Sequence, residues 1–261
     1  MITDLSIPSE LRTFRARQIA TPLADATAVE LHEKPGDALE KLAGGRFDQA
    51  PVLTQNHVFG WILTKNLQGA QSVKAITCPL SASAIVSADA TVADVLDLLG
   101  KNGLVFTVDE SGLSGFVTPS DLDRHAVRGH FYLLIAALEM ALAAIVGLTV
   151  SEEKIIARIH NDQRIRWDEA SEIGKETMPV EYLYLKDLAT LFLLSEAANK
   201  VPYSWEPALT QLCQLRTAVM HPAKPLLGKK TPHELALLAR QGEELLDQLR
   251  QITVAIGPGP H

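Results

Sequence analysis

The chain has 261 residues, of which 47% are hydrophobic, and a formal net charge of −7 at pH 7. That length suits two cores better than one, and the acidic balance argues against an extended nucleic-acid-binding surface. The N-terminus has neither a basic nor an apolar leader segment and no uncharged apolar run reaches eighteen residues, so we expect a cytoplasmic protein without a membrane span.

A short pattern occurs twice in the first half of the chain. Residues 60–67 read GWILTKNL, and residues 115–122 read GFVTPSDL. Each run follows a strand-like segment, and a segment with apolar residues at helical spacing precedes that strand. These residues are Ala38, Leu39 and Leu42 in the first copy and Val92, Val95, Leu96 and Leu99 in the second. Internal repetition of this kind predicts two supersecondary units that bury their faces against each other.

The repeat resembles a tandem pair of CBS domains, often called a Bateman module, over residues 15–128. The resemblance implies a β-α-β-β-α fold for each copy and an adenosine nucleotide (AMP, ADP or ATP) as a regulatory ligand. It also implies that Thr118 and Asp121 anchor the ribose, because an ionised carboxylate accepts hydrogen bonds from two adjacent hydroxyls. We expect Val86, in the segment 85–87, to contribute to an apolar wall for the base, and Arg124 to reach a phosphate.

The first copy departs from the pattern at the ligand positions. Leu63 and Asn66 stand where the second copy has Thr118 and Asp121. We therefore expect one competent nucleotide site and one weak or empty site. The alternative is that both sites are vestigial and that the repeat serves only to dimerise the protein.

An apolar helical pattern follows the second copy directly. It runs from Val127 to Val146 without a Gly/Pro linker, and it predicts a long helix that leaves the repeated module. A rigid connection of this kind could carry a ligand-induced shift from the module into the helices.

Four more helices are predicted in the second half of the chain. Their spans are 151–166, 184–200, 205–220 and 231 onward. Ser204 is the expected N-cap of the third, and Thr231 opens the last with a capping box. The predicted fold class is α+β, with the two-copy module in residues 1–125, an all-α helical bundle in 126–255 and a disordered tail in 256–261.

The third of these helices ends in the string LRTAVMHP, residues 215–222. The string resembles the signature of the HEPN superfamily, in which an arginine is followed within a few residues by a histidine. The resemblance implies a metal-independent endoribonuclease, with His221 as the acid/base and Arg216 as the cation that stabilises the reacting phosphate. Thr217 departs from the active members of the family, which usually carry Asn, Asp or His after the arginine.

The spacing of this motif bears on the oligomeric state. Residues five positions apart on a straight helix point about 140° away from each other. One subunit then supplies half a cleft at most, and enzymes of this family usually pair two motifs across a dimer. The resemblance therefore implies a homodimer that acts on single-stranded RNA.

The metal-binding residue types form no recognisable motif. Cys78 and Cys213 are too few and too far apart for a disulfide framework or a metal site, and no histidine has a carboxylate at metal-ligand spacing. We therefore predict that neither catalysis nor folding requires a metal.

Two functions remain open at this point. The first is a nucleotide-gated ribonuclease of the stress or phage-defence kind, in which the nucleotide controls the HEPN-like bundle. The alternative is a nucleotide sensor whose helical bundle is catalytically inactive and serves dimerisation or protein docking. In the alternative, Arg216 and His221 have a structural role at the helix end.

Overall fold

The computed structural model describes residues 14–175, 177–201 and 205–256, so that Ser204 and residues 257–261 of the predicted tail lie outside the described residues. The described chain is an α+β fold in two compact units. One unit holds residues 14–128 and 227–236, and the other holds 129–226 and 237–256 apart from the gaps given above.

The first unit contains the two copies expected from the repeat. A short strand, β1 (Thr21–Pro22), precedes the first copy, which consists of β2 (Val29–Glu30), α1 (Pro35–Gly44), β3 (Gln49–Thr54), β4 (His57–Leu63) and α2 (Val73–Ile76). Another short strand, β5 (Cys78–Pro79), precedes the second copy, which consists of β6 (Ile85–Ser87), α3 (Val92–Asn102), β7 (Val105–Asp109) and β8 (Gly112–Val117). The predicted β-α-β-β-α order is therefore present in the first copy, and the second copy contains its first four elements, followed by a 3₁₀ turn, Pro119–Asp123.

Local sequence signals set the limits of α3. The Thr91 hydroxyl accepts a hydrogen bond from the Asp94 amide at 3.2 Å, and the Asp94 carboxylate accepts one from the Thr91 amide at 2.9 Å. This capping box satisfies two amides that the helix itself cannot pair. At the other end, Gly103 adopts φ 77°, a left-handed conformation that ends the helix and that glycine adopts without steric cost.

Each copy contributes one short strand to the sheet of the other. The first-copy sheet has the order β2-β3-β4-β5, and the second-copy sheet has the order β1-β8-β7-β6. The register places Pro79 opposite Gly60 and Pro22 opposite Gly115. The strand that precedes each copy thus joins the sheet of the other copy at equivalent positions.

The repeated glycines lie where these exchanged strands pass. A Cβ atom at Gly60 would overlap the carbonyl oxygen of Cys78, and one at Gly115 would lie 2.8 Å from the carbonyl oxygen of Thr21. Both partner atoms belong to the backbone and cannot rotate away. The glycines aligned in the sequence are therefore required by close approach of two main chains.

The first copy is held together by a continuous apolar core. Its buried side chains come from both sheet and helices and comprise Val29, Leu31, Ala38, Leu42, Ala50, Val52, Ile62, Leu67 and Val73. In the second copy, Phe106 and Phe116 pack with their ring centroids 6.5 Å apart, beside the buried Leu104. The exchanged strands connect these two cores through main-chain hydrogen bonds.

The second unit is all helical within the described residues. Its elements are α4 (His125–Thr149), α5 (Glu152–Ile156), α6 (Asn161–Glu172), α7 (Leu185–Leu193), α8 (Trp205–Met220) and α9 (Pro232–Ile256), and the boundary between the units falls within α4 and within α9. The capping box expected at Thr231 is confirmed, since the Glu234 carboxylate accepts from the Thr231 amide at 2.6 Å. Ile256, assigned by sequence to the tail, is the last residue of α9.

Two predicted helices are shorter than expected. The helix predicted over 151–166 is divided into α5 and α6 at His160, whose backbone is extended with φ −69° and ψ 154°. The imidazole of His160 lies 3.1 Å from the Asp187 carboxylate in α7, a tertiary contact that local propensity does not encode. The helix predicted over 184–200 ends at Leu193 and is followed by a 3₁₀ turn, Glu196–Lys200.

The close approach at Gly60 gives a test of the strand exchange. Gly60→Ala should lower the free energy of unfolding by about 2 kcal/mol or more, because an added methyl forces backbone shifts in a packed region. Gly36→Ala is the matched control, since a Cβ there meets nothing within 4 Å. Urea unfolding measures both variants, and equal stabilities would contradict the exchange at this position.

Candidate functional site

The first unit contains a cleft between its two copies. Its volume is about 180 Å³, and its lining comes from the chain before β2, from the loop between α1 and β3, and from β8 and the turn after it. The lining residues are Thr21, Asp25, Ala26, Thr27, Arg46, Phe47, Asp48, Gln49, Phe116, Thr118, Ser120 and Asp121.

Thr118 and Asp121 lie together in this cleft, as predicted. They bracket the first turn of a 3₁₀ helix, Pro119–Asp123, in which Pro119 occupies the first position. One carboxylate oxygen of Asp121, Oδ2, accepts hydrogen bonds from the Thr118 amide at 2.8 Å and the Thr118 hydroxyl at 2.9 Å. Asp121 is only 7% exposed, so its carboxylate is held in a fixed orientation at the edge of the cleft.

The other carboxylate oxygen of Asp121, Oδ1, faces the exchanged strand β1 and Arg124. It lies 2.7 Å from Nη2 of Arg124 and accepts a longer hydrogen bond, 3.4 Å, from the Thr21 hydroxyl. The same guanidinium also donates to the Thr21 hydroxyl at 2.7 Å and to the Ala20 carbonyl at 3.2 Å. Arg124, expected to reach a phosphate, is engaged in this network and is not among the residues that line the cleft.

The loop after α1 forms the opposite side of the cleft. Two hydrogen bonds from Thr64 fix this loop. The Thr64 hydroxyl donates to the Phe47 carbonyl at 2.5 Å, and the Thr64 amide donates to the Asp48 carbonyl at 2.9 Å. Arg46 adopts the left-handed conformation with φ 57°, and the ring of Phe47 packs against Gly45. This conformation presents a cation and a 44% exposed aromatic ring at the cleft.

The structure corrects the position predicted for Val86. Val86 lies on β6, and the sheet order β1-β8-β7-β6 places that strand at the edge opposite β1. Because Thr21 of β1 is beside Asp121, the chain segment before the first copy takes the place expected for residues 85–87. The sequence prediction assumed that each copy builds its own wall, whereas the strand exchange supplies it from the other copy.

The corresponding turn of the first copy lacks this organisation. It is the 3₁₀ helix Thr64–Leu67, and Leu63 at its N-cap provides no side-chain hydrogen bond. Asn66, in the position equivalent to Asp121, is exposed and makes no side-chain hydrogen bond among the described residues. The two copies therefore differ in structure at the positions where they differ in sequence.

The two residues of the HEPN-like motif lie at the end of α8. The helix ends at Met220, so His221 is the first residue beyond it and is exposed, as the adjacent Pro222 predicts. Arg216 lies on the helix itself, with its Nε 3.9 Å from the Glu139 carboxylate of α4. A structural role of Arg216 at the helix end would involve a hydrogen bond to the last carbonyls of α8, and among the described residues its side chain contacts Glu139 of α4 instead.

The Glu139 carboxyl has a shifted pKa. Burial raises its pKa above the ordinary value for a glutamate, and the Arg216 guanidinium offsets part of that rise. Burial also raises the pKa of the nearby Cys213 thiol, and the charge of Glu139 adds to that effect. These groups form a half-buried ionic cluster between α4 and α8.

A second polar cluster in the helical unit has no counterpart in the sequence predictions. The buried Asp187 pairs with His160 at 3.1 Å, and the His160 ring lies 5.3 Å from that of Tyr184. Tyr184 in turn donates a hydrogen bond to Asp162, which lowers the pKa of that carboxyl. His160 and Asp187 are separated by a turn and a helix, so no spacing pattern could have paired them.

Within residues 14–175, 177–201 and 205–256, no group of three or more His, Cys, Asp or Glu side chains is placed to hold a metal ion. By length and composition alone, α4 could cross a membrane: its most apolar window has a mean hydropathy of 2.3, and half of that window is buried within the protein. The core helix of a soluble protein has the same properties.

Comparison with known families identifies the second copy. Residues 73–128 match the family model described as CBS domain, so the chain contains a CBS domain that includes Thr118 and Asp121. No curated protein matches the chain.

Several solved structures are similar to part of the chain. The CBS domain of the bacterial CNNM/CorC family Mg²⁺ transporter, in complex with ATP, is 23% identical with a TM-score of 0.40, over 48% of this chain and 92% of that one. The CBS-pair protein CBSX2 from Arabidopsis thaliana is 19% identical with a TM-score of 0.38, over 44% and 95%. CBSX2 in complex with AMP is 21% identical with a TM-score of 0.39, over 44% and 97%.

The raised pKa of Glu139 predicts a pH dependence of stability. Between the pKa of the unfolded chain and the higher pKa of the folded one, the folded protein binds more protons, so the free energy of unfolding falls as the pH rises through this window. Glu139→Gln should remove the part of this decrease in the free energy of unfolding that comes from ionisation of Glu139. Urea unfolding at several pH values from acid to neutral measures it, with Glu172→Gln as an exposed control. Parallel pH profiles for wild type and Glu139→Gln would contradict the assignment.

Proposed function

We propose that the first unit is a CBS pair that binds an adenine nucleotide in the cleft at Thr118 and Asp121 and that the protein is regulated by this ligand. The observation that supports the proposal best is the buried, oriented carboxylate of Asp121 at the edge of a cleft, within the residues that match the CBS-domain model. A fixed acceptor of this kind suits the two adjacent hydroxyls of a ribose.

The lining of the cleft suggests how the rest of the ligand is held. Phe47 and Phe116 provide aromatic surface for a base, and Phe47 has its ring partly exposed. Arg46 is the cation among the lining residues and is available to a phosphate, whereas Arg124 is bound to Asp121. AMP, ADP and ATP share the ribose that this site reads, so all three belong in the binding test.

The proposed site is asymmetric. Asn66 can accept one hydrogen bond through its amide oxygen but carries no charge, and no capping residue orients it. The first-copy position is therefore proposed to be weak or empty, and one nucleotide is proposed to bind per chain.

Substitution of the two equivalent residues tests this asymmetry. Asp121→Ala should weaken nucleotide binding about tenfold or more, because it removes a pair of charge-assisted hydrogen bonds. Asn66→Ala is the matched control and should change the affinity little. Isothermal calorimetry with AMP and ATP measures both, and equal losses in the two variants would refute the proposed asymmetry.

A metal-independent endoribonuclease in the helical unit is the second candidate function. The feature that favours it is the position of His221, an exposed imidazole just beyond the end of α8 with Arg216 on the preceding turns. His221 would act as the acid/base, and Arg216 would stabilise the charge on the phosphate after leaving Glu139. Without such activity, the unit would serve dimerisation or the docking of a protein partner.

A homodimer is part of the ribonuclease proposal because one chain supplies one copy of the motif. Exposed apolar side chains on α4 support an additional contact surface, and they include Tyr132, Met140 and Leu148. Their exposed fractions are 47%, 45% and 51%, so apolar surface of α4 is available for contact with a partner. A second copy of the chain is the proposed partner for this face.

The ribonuclease proposal makes a sharp prediction for His221. The protein should cleave single-stranded RNA in the presence of chelator and leave 2′,3′-cyclic phosphate ends, and His221→Ala should slow the reaction about a hundredfold or more. His233→Ala, which changes another exposed histidine, is the control. Product ends and rates are measured by gel electrophoresis after light scattering has established a dimer. A monomer at micromolar concentration, or full activity in His221→Ala, would rule out the proposed site.

A further inference from the structure

We propose that Arg124 occupies the position of the ligand on Asp121, so that a nucleoside binds by displacing an internal ion pair. The proposal rests on the nucleotide site described above and concerns how that site is regulated. Arg124 is thus a built-in competitor for the ribose, which differs from the role in phosphate binding expected from its position in the sequence.

The hydrogen-bonding capacity of the Asp121 carboxylate is fully used in the structure. A carboxylate has about four lone-pair positions, and four donor contacts are already made in the structure. Two come from Thr118 and two from Thr21 and Arg124. Two ribose hydroxyls must therefore replace existing contacts, because no acceptor position is left for them.

The contacts at the two carboxylate oxygens of Asp121 differ in how easily they can be broken. The bonds from Thr118 to Oδ2 are local and form part of the 3₁₀ helix, so breaking them would also disturb the turn. The bonds at Oδ1 are the 3.4 Å contact with Thr21 and the ion pair with Arg124, whose side chain is 40% exposed. The half-exposed guanidinium can be solvated when it leaves, and the ribose hydroxyls replace its hydrogen bond to the buried carboxylate. Both contacts at Oδ1 therefore give way to the two ribose hydroxyls, and Arg124 is the charged group that the ribose displaces.

Displacement of Arg124 would affect two other parts of the structure, the exchanged strand β1 and the first turn of α4. Besides Asp121, the Arg124 guanidinium binds the Ala20 carbonyl and the Thr21 hydroxyl, and so holds the exchanged strand β1 against the turn. The Arg124 carbonyl accepts hydrogen bonds from the amides of Val127 and Arg128 in the first turn of α4. The residue that is exchanged for ligand is thus the residue at which α4 begins.

Adenosine is the discriminating probe because it has the ribose and the base but no phosphate. If Arg124 competes with the ribose, Arg124→Ala should bind adenosine about fivefold more tightly than the wild type, the order expected for removal of a half-exposed ion pair. Arg17→Ala removes another surface arginine, paired with Asp89 outside the cleft, and should leave the affinity unchanged. Calorimetry measures all three proteins.

The outcomes separate the proposal from its alternatives. An unchanged adenosine affinity in Arg124→Ala, with weaker binding of AMP and ATP only, would assign Arg124 to the phosphate and overturn the proposal. Weaker adenosine binding would make Arg124 a structural support of the site and overturn it equally. If neither the wild type nor Arg124→Ala binds adenosine, AMP or ATP, the proposed nucleotide function itself fails.

A measurement on the wild type keeps the proposal testable if Arg124→Ala does not fold. Sodium chloride screens the ion pair between Arg124 and Asp121. Adenosine is neutral, so salt does not screen its own interactions in the same way. Adenosine should therefore bind more tightly as the salt concentration rises, and Arg124→Gln should lose this dependence. Adenosine affinity that is independent of salt, or that falls with it, would contradict the exchange.

The connection to α4 has its own readout. Adenosine should change the hydrogen-exchange rates of the Val127 and Arg128 amides in the wild type, because both donate to the carbonyl of the displaced residue. The same amides should respond less in Arg124→Gln. Exchange rates that adenosine leaves unaltered in the wild type would show that displacement does not reach the helix and would overturn this part of the proposal.

Discussion

The architecture of the first unit depends on two main-chain crossings at which no side chain fits. At Gly60 and at Gly115 an exchanged strand passes so close that a methyl group would meet a carbonyl oxygen. These crossings bring Thr21, which lies about a hundred positions earlier in the chain, to the carboxylate of Asp121. The cleft is therefore a product of both copies, and neither copy alone contains all of its lining.

The two copies share a backbone and differ in chemistry. The turn that carries Asp121 is fixed by two hydrogen bonds from Thr118 to the Asp121 carboxylate, whereas the turn that carries Asn66 has the apolar Leu63 in the position of Thr118. Duplication explains the common strand order, and divergence at two positions leaves one oriented carboxylate. This single oriented acceptor, next to the aromatic and cationic side chains of the cleft, is the basis of the nucleotide site proposed for this unit.

The features that the sequence predicts correctly depend on residues close together in the chain, and the features that it misses depend on tertiary contacts. The repeat, the capping box at Thr231 and the end of α8 before Pro222 depend on residues within a few positions of one another, and the structure contains them. The wall assigned to Val86 was wrong because strand exchange cannot be read from periodicity. The pairing of His160 with Asp187, and with it the break between α5 and α6, had no sequence signal for the same reason.

The central claim is that Asp121 reads the ribose of an adenine nucleotide. The most direct test compares the calorimetric affinities of AMP and its 2′,3′-dideoxy analogue for the wild-type protein. These ligands share base and phosphate and differ only in the two hydroxyls that the carboxylate is proposed to accept. The account predicts binding of the analogue that is weaker by about tenfold or more. Equal affinities would contradict it, because the oriented carboxylate would then have no role in recognition.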